Sequence, residues 1–217
     1  MKLTRRNFVG GSAALGGTIF ALGARATPTT QKLASAPATP LSPVRTQAPG
    51  IIDEALSALD RHSARIACRD RLGIADYTAH SREYRFHLVD VAGGKISRSF
   101  LVSHGRGSDA GNTGFARRFS NVPGSNASSR GSFATGEEYI GKHGRSRRLH
   151  GLEAQNDRAF ERAIVIHGAD YVDRRMARNQ GRVGRSLGCF AFEQSEIDTV
   201  IDMLGTGRLL YTVGNSA

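Results

Sequence analysis

Hydrophobic residues come in short groups along this chain, and their spacing predicts its elements. From residue 51 to 67 the apolar positions Ile51, Ile52, Ala55, Leu56 and Leu59 recur at helical intervals behind Pro49-Gly50, which predicts an amphipathic helix. Tyr84-Arg85-Phe86-His87-Leu88-Val89-Asp90 alternates, meets Gly93-Gly94 and resumes as Ser99-Phe100-Leu101-Val102, the pattern of a β-hairpin. Residues 105–151 are rich in Gly, Ser, Asn and Arg and read mostly as loop, with short strand-like pieces such as Gly131-Ser132-Phe133-Ala134. Ala163-Ile164-Val165-Ile166 has the continuous apolar run of a buried strand and ends at His167-Gly168. Residues 193–204 are amphipathic and stop at Gly205, and Leu209-Leu210-Tyr211-Thr212-Val213 predicts a last strand. The pattern has no internal repeat. It describes one β-rich α+β domain over residues 51–217 with few helices.

Composition sets outer limits. A chain of 217 residues with 39% hydrophobic and 23% charged residues has the makings of one globular domain rather than a disordered polymer. No apolar run reaches the roughly 18 residues of a membrane-spanning helix, so no transmembrane segment is expected in the mature form. The two cysteines make neither a disulfide framework nor a paired CxxC zinc site. The formal charge of +11 favours polyanions in general. However, Lys2, Arg5, Arg6 and Arg25 lie in the first 26 residues, and the remaining arginines are scattered rather than gathered on one periodic face. Nucleic acid is therefore not the expected partner; an anionic envelope polymer suits the charge as well.

The first residues read as an address. Thr4-Arg5-Arg6-Asn7-Phe8-Val9 has the twin-arginine export pattern, a weakly apolar Gly/Ala stretch follows to Gly23, and Ala24-Arg25-Ala26 supplies a small-x-small cleavage site. The expectation is a signal peptide over 1–26, a Pro/Ala/Thr-rich linker over 27–50, and a mature protein in the periplasm.

The chemistry is concentrated in two segments, Ile166-His167-Gly168 and Gly184-Arg185-Ser186-Leu187-Gly188-Cys189-Phe190. A histidine at the end of a buried strand is held firmly while its ring can face a cleft. Cys189 is predicted in a glycine turn a few residues before a helix, where the helix dipole favours thiolate. Beside a histidine, such a thiolate is an acyl-transfer nucleophile. Gly188 permits a sharp turn that aims its own N–H and that of Cys189 at a developing oxyanion. From spacing alone, two packing residues or a structural Cys68–Cys189 disulfide remain open readings.

His167-Gly168 followed by Ser186-Leu187-Gly188-Cys189 resembles the signature of the L,D-transpeptidase (YkuD-like) catalytic domain, closest to its murein L,D-transpeptidase branch. The resemblance runs from about Tyr84 to Val213. It includes Ser103-His104-Gly105-Arg106-Gly107-Ser108, Phe119-Ser120-Asn121, Ser128-Ser129-Arg130-Gly131 and Gly141-Lys142-His143-Gly144. There are departures: Leu187 stands where the wider family has histidine, Ala191 where it has a substrate-binding arginine, and Phe190 where this branch commonly has proline. Arg185 is the candidate replacement for that arginine.

The resemblance implies a mixed β-sandwich or barrel with few helices and the catalytic cysteine in a turn before a helix. It implies that His167 takes the Cys189 proton, or holds a thiolate–imidazolium pair. The thiolate then attacks a diaminopimelate carbonyl in a peptidoglycan stem peptide, D-alanine leaves, and an amine or water resolves the thioester. The Gly168 carbonyl is implied as the third member of the triad, and no cofactor or metal is required. Ser186, Arg185 and Tyr171 are the candidate substrate contacts. His143 and His150 read as surface or structural histidines. Gly105-Arg106-Gly107-Ser108 lacks the context of a phosphate loop, and Arg145-Ser146-Arg147-Arg148 reads as a solvated basic loop. Two classes of function follow: an exported cysteine transpeptidase, or a catalytically inactive envelope-binding protein on the same fold.

Overall fold

The computed structural model describes residues 49–215. The export signal and residues 27–48 of the expected linker lie outside the described residues. Pro49 and Gly50 already belong to the first helix, α1 (Pro49–Arg61), which stops short of the expected residue 67.

Eight strands form one mixed sheet: β1 (Arg71–Asp76), β2 (Phe86–Asp90), β3 (Lys95–Phe100), β4 (Gly131–Gly141), β5 (Gly144–Gly151), β6 (Val165–Gly168), β7 (Phe190–Phe192) and β8 (Leu209–Val213). Their order is β3-β2-β1-β8-β4-β5-β6-β7. The β1–β8 and β6–β7 pairs are parallel and the others antiparallel. The sheet curls so that its two ends meet. Phe192 of β7 packs edge-on against Phe86 of β2 at 4.8 Å between ring centroids, and the Ser103 N–H donates to the Ala191 carbonyl at 2.9 Å. This is the expected β-rich sandwich-or-barrel architecture.

The inside of the curl is an aromatic core of Phe86, Phe100, Phe133, Phe190 and Phe192, closed by α3 (Ile197–Leu204). That helix buries Ile197, Val200, Ile201 and Leu204, the i, i+3, i+4, i+7 stripe of an amphipathic helix, and ends at Gly205, whose φ of 63° suits glycine. On the outer face α1 lays Ala55, Ala58 and Leu59 over Leu72, Ile74, Val89 and Leu209. The short α2 (Arg174–Asn179) is capped by the Asp173 side chain, which accepts from the Arg175 and Met176 N–H groups.

Two corrections to the sequence reading matter for the site. Residues 131–151, expected to be mostly loop, are the long β4–β5 hairpin. The Arg145–Arg148 run lies on β5, and its charges are neutralised locally. Arg145 pairs with Glu138, Asp198 and Asp202, and buried Arg147 donates to the Gly136 carbonyl at 2.8 Å and to Thr206. Second, Cys189 does not lead straight into a helix, because β7 and a turn stand between it and α3. The glycines of the 105–108 segment allow close backbone packing: a Cβ on Gly105 would lie 2.3 Å from the Asn126 carbonyl oxygen, and one on Gly107 2.0 Å from that of Ser125.

Candidate active site

His167 sits on β6, paired with Ser146 of β5 on one side and Ala191 of β7 on the other, and is 2% exposed. Its Nδ1 lies 2.8 Å from the carbonyl oxygen of Gly168. A carbonyl only accepts, so Nδ1 carries the hydrogen and Nε2 keeps its lone pair. The ring face is covered by the His143 imidazole, 4.2 Å away between centroids and 19° from parallel. Burial pushes the His167 pKa down to about 4; the Gly168 hydrogen bond opposes this, and His143 and Lys142 add to it.

Cys189 precedes the β7 residue paired with Ile166 and lies two positions before the partner of His167. Its Sγ donates to the Ala163 carbonyl at 3.4 Å. Ala163 has a φ of 52°, a left-handed conformation uncommon outside glycine. Burial raises the thiol pKa, against the pull of the Val165 N–H, Lys142 and Arg162. The resting state is therefore a thiol, with a neutral imidazole on the neighbouring strand β6. The expected thiolate stabilisation by a helix terminus is absent here, since the dipole acts only within a helix's own first turn and β7 intervenes. Both cysteines are free, so the Cys68–Cys189 disulfide is not formed.

The turn before Cys189 is braced from within. Gly188 has a φ of 117°, and its N–H donates to Ser186 Oγ at 3.1 Å. The Ser186 hydroxyl in turn donates to the Cys189 carbonyl at 2.7 Å. The Ser186 backbone is tied at both ends, to the His104 carbonyl at 2.9 Å and to the Arg106 N–H at 2.8 Å. Ser186 is buried, and its hydroxyl is engaged inside the turn, where it holds the cysteine loop rather than facing a cleft.

Behind this brace lies a buried polar chain. Arg85 donates to the Val102 carbonyl at 2.8 Å and, through the same nitrogen, to His104 Nδ1 at 2.8 Å. His104 Nε2 lies 3.3 Å from Asp109 Oδ2. Since Nδ1 accepts from a guanidinium, Nε2 holds the hydrogen, the tautomer opposite to that of His167. Burial and Arg85 push the His104 pKa down to about 3, so it stays neutral. Asp109 anchors the loop ahead of it through the Thr113 and Gly114 N–H groups, both at 2.8 Å.

The other predicted contacts separate. Tyr171 is half-buried; burial and the nearby Cys189 push its hydroxyl up to about 12, which places it at the edge of the cysteine site. Arg185 donates to the Asp109 carbonyl and is not among the charges acting on Cys189. Ala191 is fully buried, and Leu187 projects outward at 53% exposure.

The arginine beside the cysteine is Arg162, which the sequence reading did not single out. Its guanidinium donates to the Ser120 and Ala127 carbonyls, at 2.8 and 2.6 Å, and to Ser129 Oγ at 2.7 Å, tying the 120–129 loop to the cysteine turn. The only hint in sequence is its position just before the Ala163–Ile166 run. His143, read as a surface or structural histidine, is exposed at the hairpin tip and stacks on His167. His150 stacks on Phe160 instead. Among the described residues no group of three His, Cys, Asp or Glu is placed to hold a metal ion, and no helix is long and apolar enough to cross a membrane.

Comparison with known proteins adds a family. Residues 45–213 match the family model described as L,D-transpeptidase catalytic domain. Solved structures similar to the chain include an L,D-transpeptidase from Mycobacterium smegmatis, at 16% identity and a TM-score of 0.41, covering 67% of this chain and 59% of that one. Another is the helical cell shape determining protein of Campylobacter jejuni, at 12% identity and a TM-score of 0.45, covering 76% and 55%. A third, the L,D-transpeptidase from Xylanimonas cellulosilytica, has 18% identity and a TM-score of 0.40, covering 74% and 69%. The chain thus spans less than two thirds of the first two. No curated protein matches it in sequence.

Proposed function

The chain belongs to the L,D-transpeptidase catalytic-domain family, and from that premise we propose that it is an exported cysteine acyl-transferase acting on peptidoglycan stem peptides. The observation that carries the reading is the position of Cys189 in the turn that enters β7, the parallel neighbour of the strand β6 that holds His167, with His167 Nδ1 tied to the Gly168 carbonyl and Nε2 left as the nitrogen that accepts a proton.

The steps follow from the resting thiol and neutral imidazole. When the Cys189 side chain turns from the Ala163 carbonyl toward His167, Nε2 takes the S–H proton and the thiolate attacks the carbonyl carbon of the stem-peptide residue that bears terminal D-alanine. The Gly188 N–H is engaged by Ser186 Oγ, so the Cys189 N–H is the backbone donor for the oxyanion. The C–N bond breaks, imidazolium gives its proton to the departing amine of D-alanine, and a thioester remains on Cys189. An amine from a second stem peptide, or water, attacks the thioester, loses its proton to His167 and returns the thiol. The Gly168 carbonyl holds the imidazole and stabilises its charged form; the reaction calls on no metal or cofactor.

A second reading, an inactive envelope-binding protein, has one observation in its favour: Sγ donates to Ala163 rather than to His167. Intact-mass measurement after incubation with a carbapenem separates the two. The enzyme reading expects a covalent adduct that disappears in Cys189→Ala; no adduct on the native protein supports the binder. Separation of muropeptides after digestion with the enzyme then tells whether amine or water is the acceptor.

A further inference from the structure

The Lys142–His143 tip of the β4–β5 hairpin has no part in the steps above, yet it lies on the base. Gly141 pairs with Gly144, so Lys142 and His143 form a two-residue tip, both exposed. Because Ser146 of β5 pairs with His167, the tip runs past the end of β6, and the His143 ring folds back over His167. An exposed side chain that stays parallel to a buried imidazole at 4.2 Å is doing more than filling a surface.

Two constraints meet on the His167 ring. The bond from Nδ1 to the Gly168 carbonyl fixes the in-plane direction of Nε2. The His143 stack blocks tilting out of that plane. We infer that His143 is a positioning residue for the general base: by lying face to face on His167, it fixes where Nε2 points while the thiol proton is transferred. The inference rests on the reading of Cys189 and His167 as the acylating pair.

The stack also has an electrostatic side. Two imidazoles in face contact resist being protonated together, so a proton on His143 opposes one on His167. The charged group that acts on both rings is Lys142 from the tip; Arg162 and Tyr171 interact with Cys189 instead. Lys142 acts on His143, His167 and Cys189 in the same sense, favouring neutral imidazoles and the ionised thiol. The arrangement extends the pH range over which the base remains able to accept.

The test compares His143→Ala with His143→Phe. In both, loss of the imidazole should move the acid limb of carbapenem acylation to higher pH. In His143→Ala the freed ring should also lower the plateau rate by roughly 10-fold, a modest share of the ~10²-fold that misplacement by 1 Å can cost. In His143→Phe, which keeps a flat ring over His167, the plateau should stay within about threefold of the native rate, on the same reasoning. A merely structural hairpin tip would change stability with the limb unmoved and with no rescue by phenylalanine.

A second measurement does not need turnover. In a Cys189→Ala background, ¹⁵N spectra of the imidazoles should report His167 protonated on Nδ1, with a titration that moves up when His143 is replaced. An unmoved titration, or a native plateau in His143→Ala, overturns the inference. Failure of the Cys189–His167 assignment would instead appear as carbapenem adducts persisting in Cys189→Ala while the ¹⁵N titration still shifts.

Discussion

Replacing Gly188 with alanine tests how the cysteine turn is built. At a φ of 117° an L-residue is strained, at a cost of about 1–3 kcal/mol. A Cβ there would also lie 2.8 Å from the Ala127 carbonyl oxygen, 2.8 Å from Ile164 Cδ1 and 3.3 Å from the Arg162 guanidinium. The first is backbone held by Arg162, and the second belongs to the aromatic core, so neither yields easily. Overpacking of this kind costs about 1–3 kcal/mol more. The stiffer unfolded chain returns about 0.4–1 kcal/mol. The net loss is about 1–5.6 kcal/mol, a sizeable part of the roughly 5–15 kcal/mol that holds a domain together. For a domain of this size, that lowers Tm by roughly 2–22 °C. Gly181→Ala is the matched control, since Gly181 has a φ of 70° and open space around its Cβ position. Thermal and urea unfolding of both variants read the difference, and alkylation of Cys189 reports whether the turn has moved. If Gly188→Ala unfolds within 2 °C of Gly181→Ala, on the scale set by those costs, the packing argument is wrong.

The remaining predictions concern charge and export. Folded His104 and His167 have pKa values of about 3 and about 4, below the ordinary 6.5, so each adds stability that is complete above pH 6.5 and is lost as pH falls toward its folded value. Urea unfolding from pH 7 to pH 4.5 should lose about 1.4 kcal/mol per pH unit for each histidine once the unfolded forms are protonated, and a flat profile would refute this. Arg185→Ala should leave carbapenem acylation within about twofold, since its guanidinium serves the Asp109 carbonyl. Arg162→Met should slow alkylation of Cys189 by raising its pKa and cost about 1–3 kcal/mol, because the Ser120 and Ala127 carbonyls and Ser129 Oγ lose a charged donor; equal effects of the two substitutions would count against this assignment. Replacing Arg5 and Arg6 together with lysine should trap precursor in the cytoplasm, and undiminished periplasmic protein would rule out the twin-arginine reading.

What could be read in the sequence depended on where hydrophobicity was continuous. The β2–β3 hairpin, β6, α3 and β8 announce themselves because their apolar residues alternate, run together or recur at helical spacing. β1 escapes because Arg71, Gly73 and Asp76 interrupt its apolar residues. Gly73 is small because the Phe86 ring lies where its Cβ would be, 2.9 Å away. β5 escapes for a different reason: its Arg145-Ser146-Arg147-Arg148 run has the composition of a loop. Pairing with β4 and β6 makes it a strand, and acids on β4 and α3 answer the charge of Arg145.

The site divides along the same line. The cysteine and histidine were legible because each lies in a short glycine-marked segment whose local backbone shapes its chemistry. The groups that tune them arrive from elsewhere in the chain: Arg162 from the turn before β6, His143 from a hairpin that read as loop, Ala163 through a left-handed backbone angle that an alanine does not advertise. Their effects also run against the local signals. A glycine turn followed by a helical pattern argued for thiolate, yet an intervening strand and burial favour the thiol. On the proposed acyl-transfer mechanism the proton therefore moves during the reaction rather than before it, which makes the direction of His167 Nε2, and whatever fixes that direction, a determinant of rate.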